Sequence, residues 1–140
     1  VPLTPEVAVT IVPAVHSSTF QRGSDAPIEP AGSATGLVIQ VQGGPTFYHT
    51  GDTGVTEDMR HVGERHAIDV MLACIGGHFT MDPAGAATAV ALARPKAVVP
   101  MHFGTFPLLK GTPAELEAAL ARKGLKVPVV VLKPGETRAF

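Results

Sequence analysis

Four side chains able to bind metals or move protons recur at one kind of position, just beyond an apolar run: His16, Asp52, His78 and His102. Successive strands of a sheet bring their ends to a common edge, so residues far apart in sequence can converge there. Imidazole nitrogen and carboxylate oxygen together suit zinc, manganese or iron. A carboxylate shared by two divalent ions holds them about 3.5–4 Å apart, where one activates water and both stabilise an oxyanion. Each residue also has an ordinary role open to it. Asp52, within His49-Thr50-Gly51-Asp52-Thr53-Gly54, can cap the helix expected to follow, and a loop histidine can simply be solvated. His61 and His66 fall on or just after a polar helix face and read as solvated. His49, three residues before Asp52, reads as packed or hydrogen-bonded nearby, a candidate supporting partner.

Other chemistries find less support. Ser17 and Ser18 stand beside His16, but no Gly-x-Ser-x-Gly elbow occurs in the chain. Gly43-Gly44 and Gly76-Gly77 are not followed by Gly-Lys-Ser/Thr, so neither forms a phosphate loop.

The elements that must position these residues read as follows. Val7–Val12 is a β-branched strand ended by Pro13. Residues 19–35, rich in Gly, Ser and Pro, read as a long surface loop. Gly36–Gln42 and Pro45–Thr50, joined at Gly43-Gly44, read as a hairpin. A helix is expected over Val55–Arg65, with Val55, Met59 and Val62 as its apolar stripe. Asp69–Ile75 is a continuous apolar run, suited to a strand buried on both faces. Asp82 and Pro83 open an alanine-rich helix over Ala84–Ala93. Ala97–Met101 is a strand, and Thr112-Pro113-Ala114-Glu115 is a capping box opening a helix to about Lys123, with Gly124 beyond it. Val127–Leu132 reads as a strand, Pro134-Gly135 as a turn, and Glu136–Phe140 as a last short strand. Alternating strands and helices in the second half imply a layered α/β architecture.

The 140 residues suit one domain, residues 1–140, and 45% apolar with 16% charged content suits a buried core. A formal net charge of −1 without a basic stripe argues against nucleic acid. The single cysteine, Cys74, lies in an apolar run and is expected as a reduced, buried thiol. No apolar run reaches membrane-span length and no signal pattern is visible, so a cytoplasmic location is the default expectation.

Taken together, five segments resemble the metallo-β-lactamase superfamily, in its branch of small metal-dependent hydrolases similar to the ascorbate-6-phosphate lactonases and the N-acylphosphatidylethanolamine-hydrolysing phospholipases. They are Val12–Ser18, Tyr48–Gly54, Ile75–Met81, Pro100–Phe106 and Val131–Glu136. The resemblance implies an α/β fold, the C-terminal half of an αβ/βα sandwich. It implies two divalent metal ions, zinc first with manganese or iron as alternatives. His16 matches a ligand of the first metal, Asp52 the bridging aspartate and His102 a ligand of the second. His78, with Phe79 and Thr80, matches a loop lining the site; His78 is assigned to the chemistry, Phe79 and Thr80 to the substrate. The implied reaction is attack of a metal-activated hydroxide on an ester, lactone or phosphodiester of a small molecule.

One family feature is missing. Members carry a His-x-His-x-Asp-His motif in their N-terminal half, and here no histidine stands two residues from another. The expectation is therefore a half-site, inactive alone and completed by an N-terminal half. The alternative is a non-catalytic, self-associating interaction module or a degenerate fragment.

Overall fold

The computed structural model describes residues Val1–Phe140. Eight strands and three helices follow one another: β1 (Pro2–Thr4), β2 (Val7–Pro13), β3 (Thr19–Gln21), β4 (Ile28–Pro30), β5 (Thr35–Val41), β6 (Thr46–His49), α1 (Asp58–Arg65), β7 (Val70–Cys74), α2 (Pro83–Ala93), β8 (Ala97–Met101) and α3 (Pro113–Arg122). Six strands form one sheet in the order β1-β2-β5-β6-β7-β8, and β3 and β4 pair separately. The β1–β2, β2–β5 and β5–β6 pairs are antiparallel, whereas β6–β7 and β7–β8 are parallel. The parallel pairs need crossovers, and α1 and α2 supply them. In consequence β2, β6, β7 and β8 all end at the same edge.

The register separates two faces. Val38, Tyr48, Met71 and Val98 lie side by side across β5 to β8 and are fully buried. They join Met59 and Val62 of α1, six residues of α2 and three of α3 in one core cluster. All three helices therefore cover this face. The opposite face carries two other rows: Ile11, Leu37, His49, Leu72 and Val99, and Val9, Ile39, Phe47, Val70 and Ala97. No helix covers these rows, and Ile11 at the β2 end is 64% exposed.

The hairpin, the strands around Asp69–Ile75 and Ala97–Met101, and both later helices lie where the sequence places them. Asp82 caps α2 through Gly85 N, and the Thr112–Glu115 capping box is complete. Cys74 is buried and free. Several expectations need correction. The first helix begins at Asp58, not Val55; Thr56 Oγ1 accepts from Asp58 N, and Val55 is left exposed. The loop expected over residues 19–35 contains the β3–β4 hairpin, because Thr19-Phe20-Gln21 and Ile28-Glu29-Pro30 can pair across the turn. The β1 strand has no counterpart in the sequence reading. Val127–Leu132 forms only a parallel bridge, Val98 to Val129, since Pro128 has no N–H to continue a ladder. Glu136–Phe140 is not a strand.

Candidate active site

Each candidate side chain sits on a turn at the common strand-end edge, and the backbone of these turns is stitched together. Thr50 N donates to Leu72 O and Ile75 N to Met101 O, both at 3.0 Å. Val15 N donates to Thr53 Oγ1 at 2.9 Å and Gly54 N returns a bond to Val15 O at 2.9 Å. These bonds fasten the His16 arm to the Asp52 turn. Met81 N donates to Thr53 O at 2.9 Å, which fastens the His78 turn to the same residue. Thr53, buried at 1% exposure, is thus the common anchor. The sequence reading missed it, although a threonine between Asp and Gly at a strand end is the signal that could have found it.

The Asp52 turn requires its glycine. Gly51 has φ +66°, and a Cβ there would collide with Thr35 O, so any other residue is strained and blocked. Gly51 N donates to His49 Nδ1 at 3.0 Å, which gives His49 the nearby hydrogen bond expected of it. Asp52 caps no helix: the N-cap of α1 is Glu57, with no side-chain cap bond. Its carboxylate is 47% exposed and lies 3.4 Å from His102 Nε2.

His102 carries two signs of a placed side chain. Its backbone is left-handed, φ +55°, a conformation that costs a non-glycine residue free energy and clusters at functional sites. Its Nδ1 is buried with no hydrogen-bond partner; leaving a buried polar group unpaired costs about 1–3 kcal/mol. Gly76 lets the neighbouring turn approach, since a Cβ there would collide with His102 O and press on Leu109. His102 also faces an open cavity of about 580 Å³ between residues 100–105 and the segment from Val131 to Pro134.

His78 is left-handed as well, φ +59°, and its ring meets Phe79 edge-to-face at 4.2 Å. Phe79 is 58% exposed, and the Thr80 hydroxyl lies 3.5 Å from Met81 O. A second cavity, of about 430 Å³, opens between His78 and Gly77 on one side and Leu108 and Lys110 on the other. His16 keeps its Nδ1 2.8 Å from Ser17 O.

Of the predicted residues, the chain brings Asp52 and His102 into contact and leaves His16 and His78 on neighbouring turns. The donor types fit divalent metals, and the unpartnered buried Nδ1 marks His102 as incompletely satisfied. The donor number does not fit: no three His, Cys, Asp or Glu side chains form a group able to hold a metal ion. Within this chain these side chains do not assemble a complete ligand set. His61 and His66 stay out of it, with His61 exposed beside Glu64 at 3.2 Å. No helix is long and apolar enough to cross a membrane.

The family description "Beta-lactamase superfamily domain" matches residues 1–103. The chain belongs to the metallo-β-lactamase superfamily. Among its superfamily relatives, a metal-dependent hydrolase of Anaeromyxobacter sp. (strain K) is 60% identical over 136 residues, 96% of this chain and 48% of the relative. One of Thermodesulfovibrio yellowstonii is 44% identical over 133 residues, 94% of this chain and 50% of the relative. The chain thus spans about half the length of the relatives it matches. Among solved structures, a metallo hydrolase from the hyperthermophilic archaeon Ignicoccus hospitalis superposes with a TM-score of 0.80 at 39% identity, over 97% of this chain and 54% of that one. The isothiocyanate hydrolase from Delia radicum gut bacteria shares the superfamily fold, with a TM-score of 0.75 at 20% identity over 99% and 56% of the two chains.

Proposed function

We propose that this chain is the C-terminal half of a divalent-metal-dependent hydrolase of small esters, lactones or phosphodiesters. His16, Asp52 and His102 serve as ligands, and further ligands come from polypeptide outside the chain. The observation that carries the reading is the Asp52–His102 pair at 3.4 Å with a buried, unpartnered Nδ1. A structural ion pair would be expected to satisfy that nitrogen; a partial ligand set would not. The names of the relatives and their double length support the same reading.

When bound, such metal ions polarise the scissile bond and acidify water. The protein's own part is placement. The left-handed backbone places the His102 ring, the Thr53 anchor holds the Asp52 turn against the His16 arm, and Phe79 packs edge-to-face on the His78 ring at the approach to it. His78, on its own turn, takes or gives a proton at the substrate, and Thr80 lines the same approach.

Metal content and turnover on the full-length protein test this. Two equivalents of zinc, or of manganese or iron, with hydrolysis of at least one ester, lactone or phosphodiester, are expected. Unchanged metal content in Asp52→Ala and His102→Ala variants would sink the assignment. The bare sheet face favours one second reading, a metal-free self-associating module. A stable metal-free homo-oligomer in size-exclusion chromatography selects it.

A further inference from the structure

The cavity of about 430 Å³ beside His78 contains a charge without a partner. Four ionisable side chains line it: His78, Asp82, Lys110 and Glu115. Both carboxylates are already engaged. Asp82 Oδ1 accepts from Gly85 N at 2.7 Å. Glu115 Oε2 accepts from Thr112 N at 2.9 Å and from the Thr112 hydroxyl at 2.8 Å. Each serves the opening turn of its own helix, whose partial positive charge offsets it. The Lys110 ammonium pairs with no carboxylate.

Lys110 is also held in place by its neighbours. Leu109 is buried, and its N donates to Phe106 O at 3.0 Å. Gly111 N donates to Gly76 O at 3.2 Å. A Cβ at Gly111 would collide with Ile75 O and press on Pro83 Cδ, so this residue lies tight against the end of β7. With both neighbours pinned, the Lys110 backbone cannot drift from the cavity wall, and little ordering is left for a ligand to impose. On the facing wall Gly77 and His78 are left-handed in succession, φ +74° and +59°. The second of these costs a non-glycine residue free energy, and it keeps the imidazole on the same cavity.

We infer that Lys110 is a specificity-determining residue for an anionic group, a carboxylate or phosphate, on the part of the substrate that lies beside His78. The inference rests on the reading above that His78 acts on the substrate. The cavity has the size of a small-molecule site. A neutral group would leave the ammonium without a partner. A cationic group would meet that ammonium and find both carboxylates engaged by the helix amides. An anion gains a charge-assisted hydrogen bond that nothing within the chain supplies.

Calorimetric titration of the full-length protein with inorganic phosphate and, separately, with acetate tests this, with metal content measured on the same samples. At least one anion is expected to bind, with an affinity that falls at least about 10-fold in Lys110→Ala and is largely kept in Lys110→Arg. The anion with the larger loss names the group recognised. Unchanged affinity in Lys110→Ala overturns the inference, even if metal is bound and the functional proposal stands; an anion held by metal alone gives that result. Lys110-dependent binding in a metal-free protein keeps the anion site and overturns the metal assignment instead. Loss in both variants together with a lowered Tm makes Lys110 a structural residue and overturns the inference.

Discussion

The two ends of the parallel sheet each hold a carboxylate beside a basic side chain, and they differ in how far their polar groups are satisfied. At the end where β6 and β7 begin, Asp69 Oδ2 accepts from Thr46 N at 2.8 Å and Oδ1 meets Lys96 Nζ at 2.7 Å. The Lys96 ammonium, then the Thr46 amide, hold the Asp69 carboxyl below its usual range. Both oxygens are occupied, and the group clamps the start of β6 to that of β7. At the opposite end Asp52 and His102 stand 3.4 Å apart, with a left-handed backbone and an unpartnered imidazole nitrogen. The Asp69 end satisfies both carboxylate oxygens and is a fastening; the Asp52 end leaves a buried nitrogen unpaired, which is the observation behind the ligand role proposed above.

Substitutions sharpen this contrast. The largest effect is expected at the unsatisfied end. In the full-length protein, Asp52→Ala and His102→Ala lower hydrolysis by more than about 100-fold, since even outer partners of metal sites cost 10–100-fold, while thermal stability holds or rises. A Tm loss with retained turnover would make Asp52 and His102 a fastening like Asp69. Gly76→Ala comes next. The new Cβ collides with His102 O, and overpacking of this kind costs about 1–3 kcal/mol, read as a lower midpoint in urea. Asp69→Asn follows, with a loss of about 1 kcal/mol after discounting for solvent and no change in turnover. Because the folded pKa of Asp69 is depressed, its contribution is present above the ordinary carboxylate range and fades as pH falls through the folded value. The Asn variant should lose that acid-side slope. The smallest effect at neutral pH is expected for Tyr48→Phe. Burial pushes the Tyr48 phenol up to about 12 from 10.0, so it favours the fold fully below pH 10 and loses that contribution towards pH 12. The Phe variant should abolish this alkaline loss and change little at pH 7.

Much of the fold was legible because local signals agreed with it. Asp82-Pro83 and Thr112-Pro113 mark helix starts through side-chain bonds that the sequence itself supplies. Strand-end histidines and Asp52 could be placed at one edge from alternating elements alone. What was not legible depends on long-range partners. Val127–Leu132 and Glu136–Phe140 have strand composition, and composition does not supply a ladder. Residues 19–35 read as loop because turn residues dominate the window and hide two three-residue strands. The pairing of Asp52 with His102 rather than with His16 is set by how β6, β7 and β8 neighbour one another, and no spacing in sequence encodes that.

Beneath the Asp52 turn, the Cys74 thiol sits fully buried, 3.7 Å from Thr50 Oγ1 and 3.6 Å from Thr53 O. An alkylating reagent can reach that sulfur only when the turn lifts away, so the rate of labelling is a clock for local opening. A ligand held by Asp52 in the closed state, as proposed above, would slow the clock in proportion to the opening it suppressed. The chain thereby carries, at its own strand end, a reporter on which the proposed occupancy of the Asp52 turn can be read without any turnover.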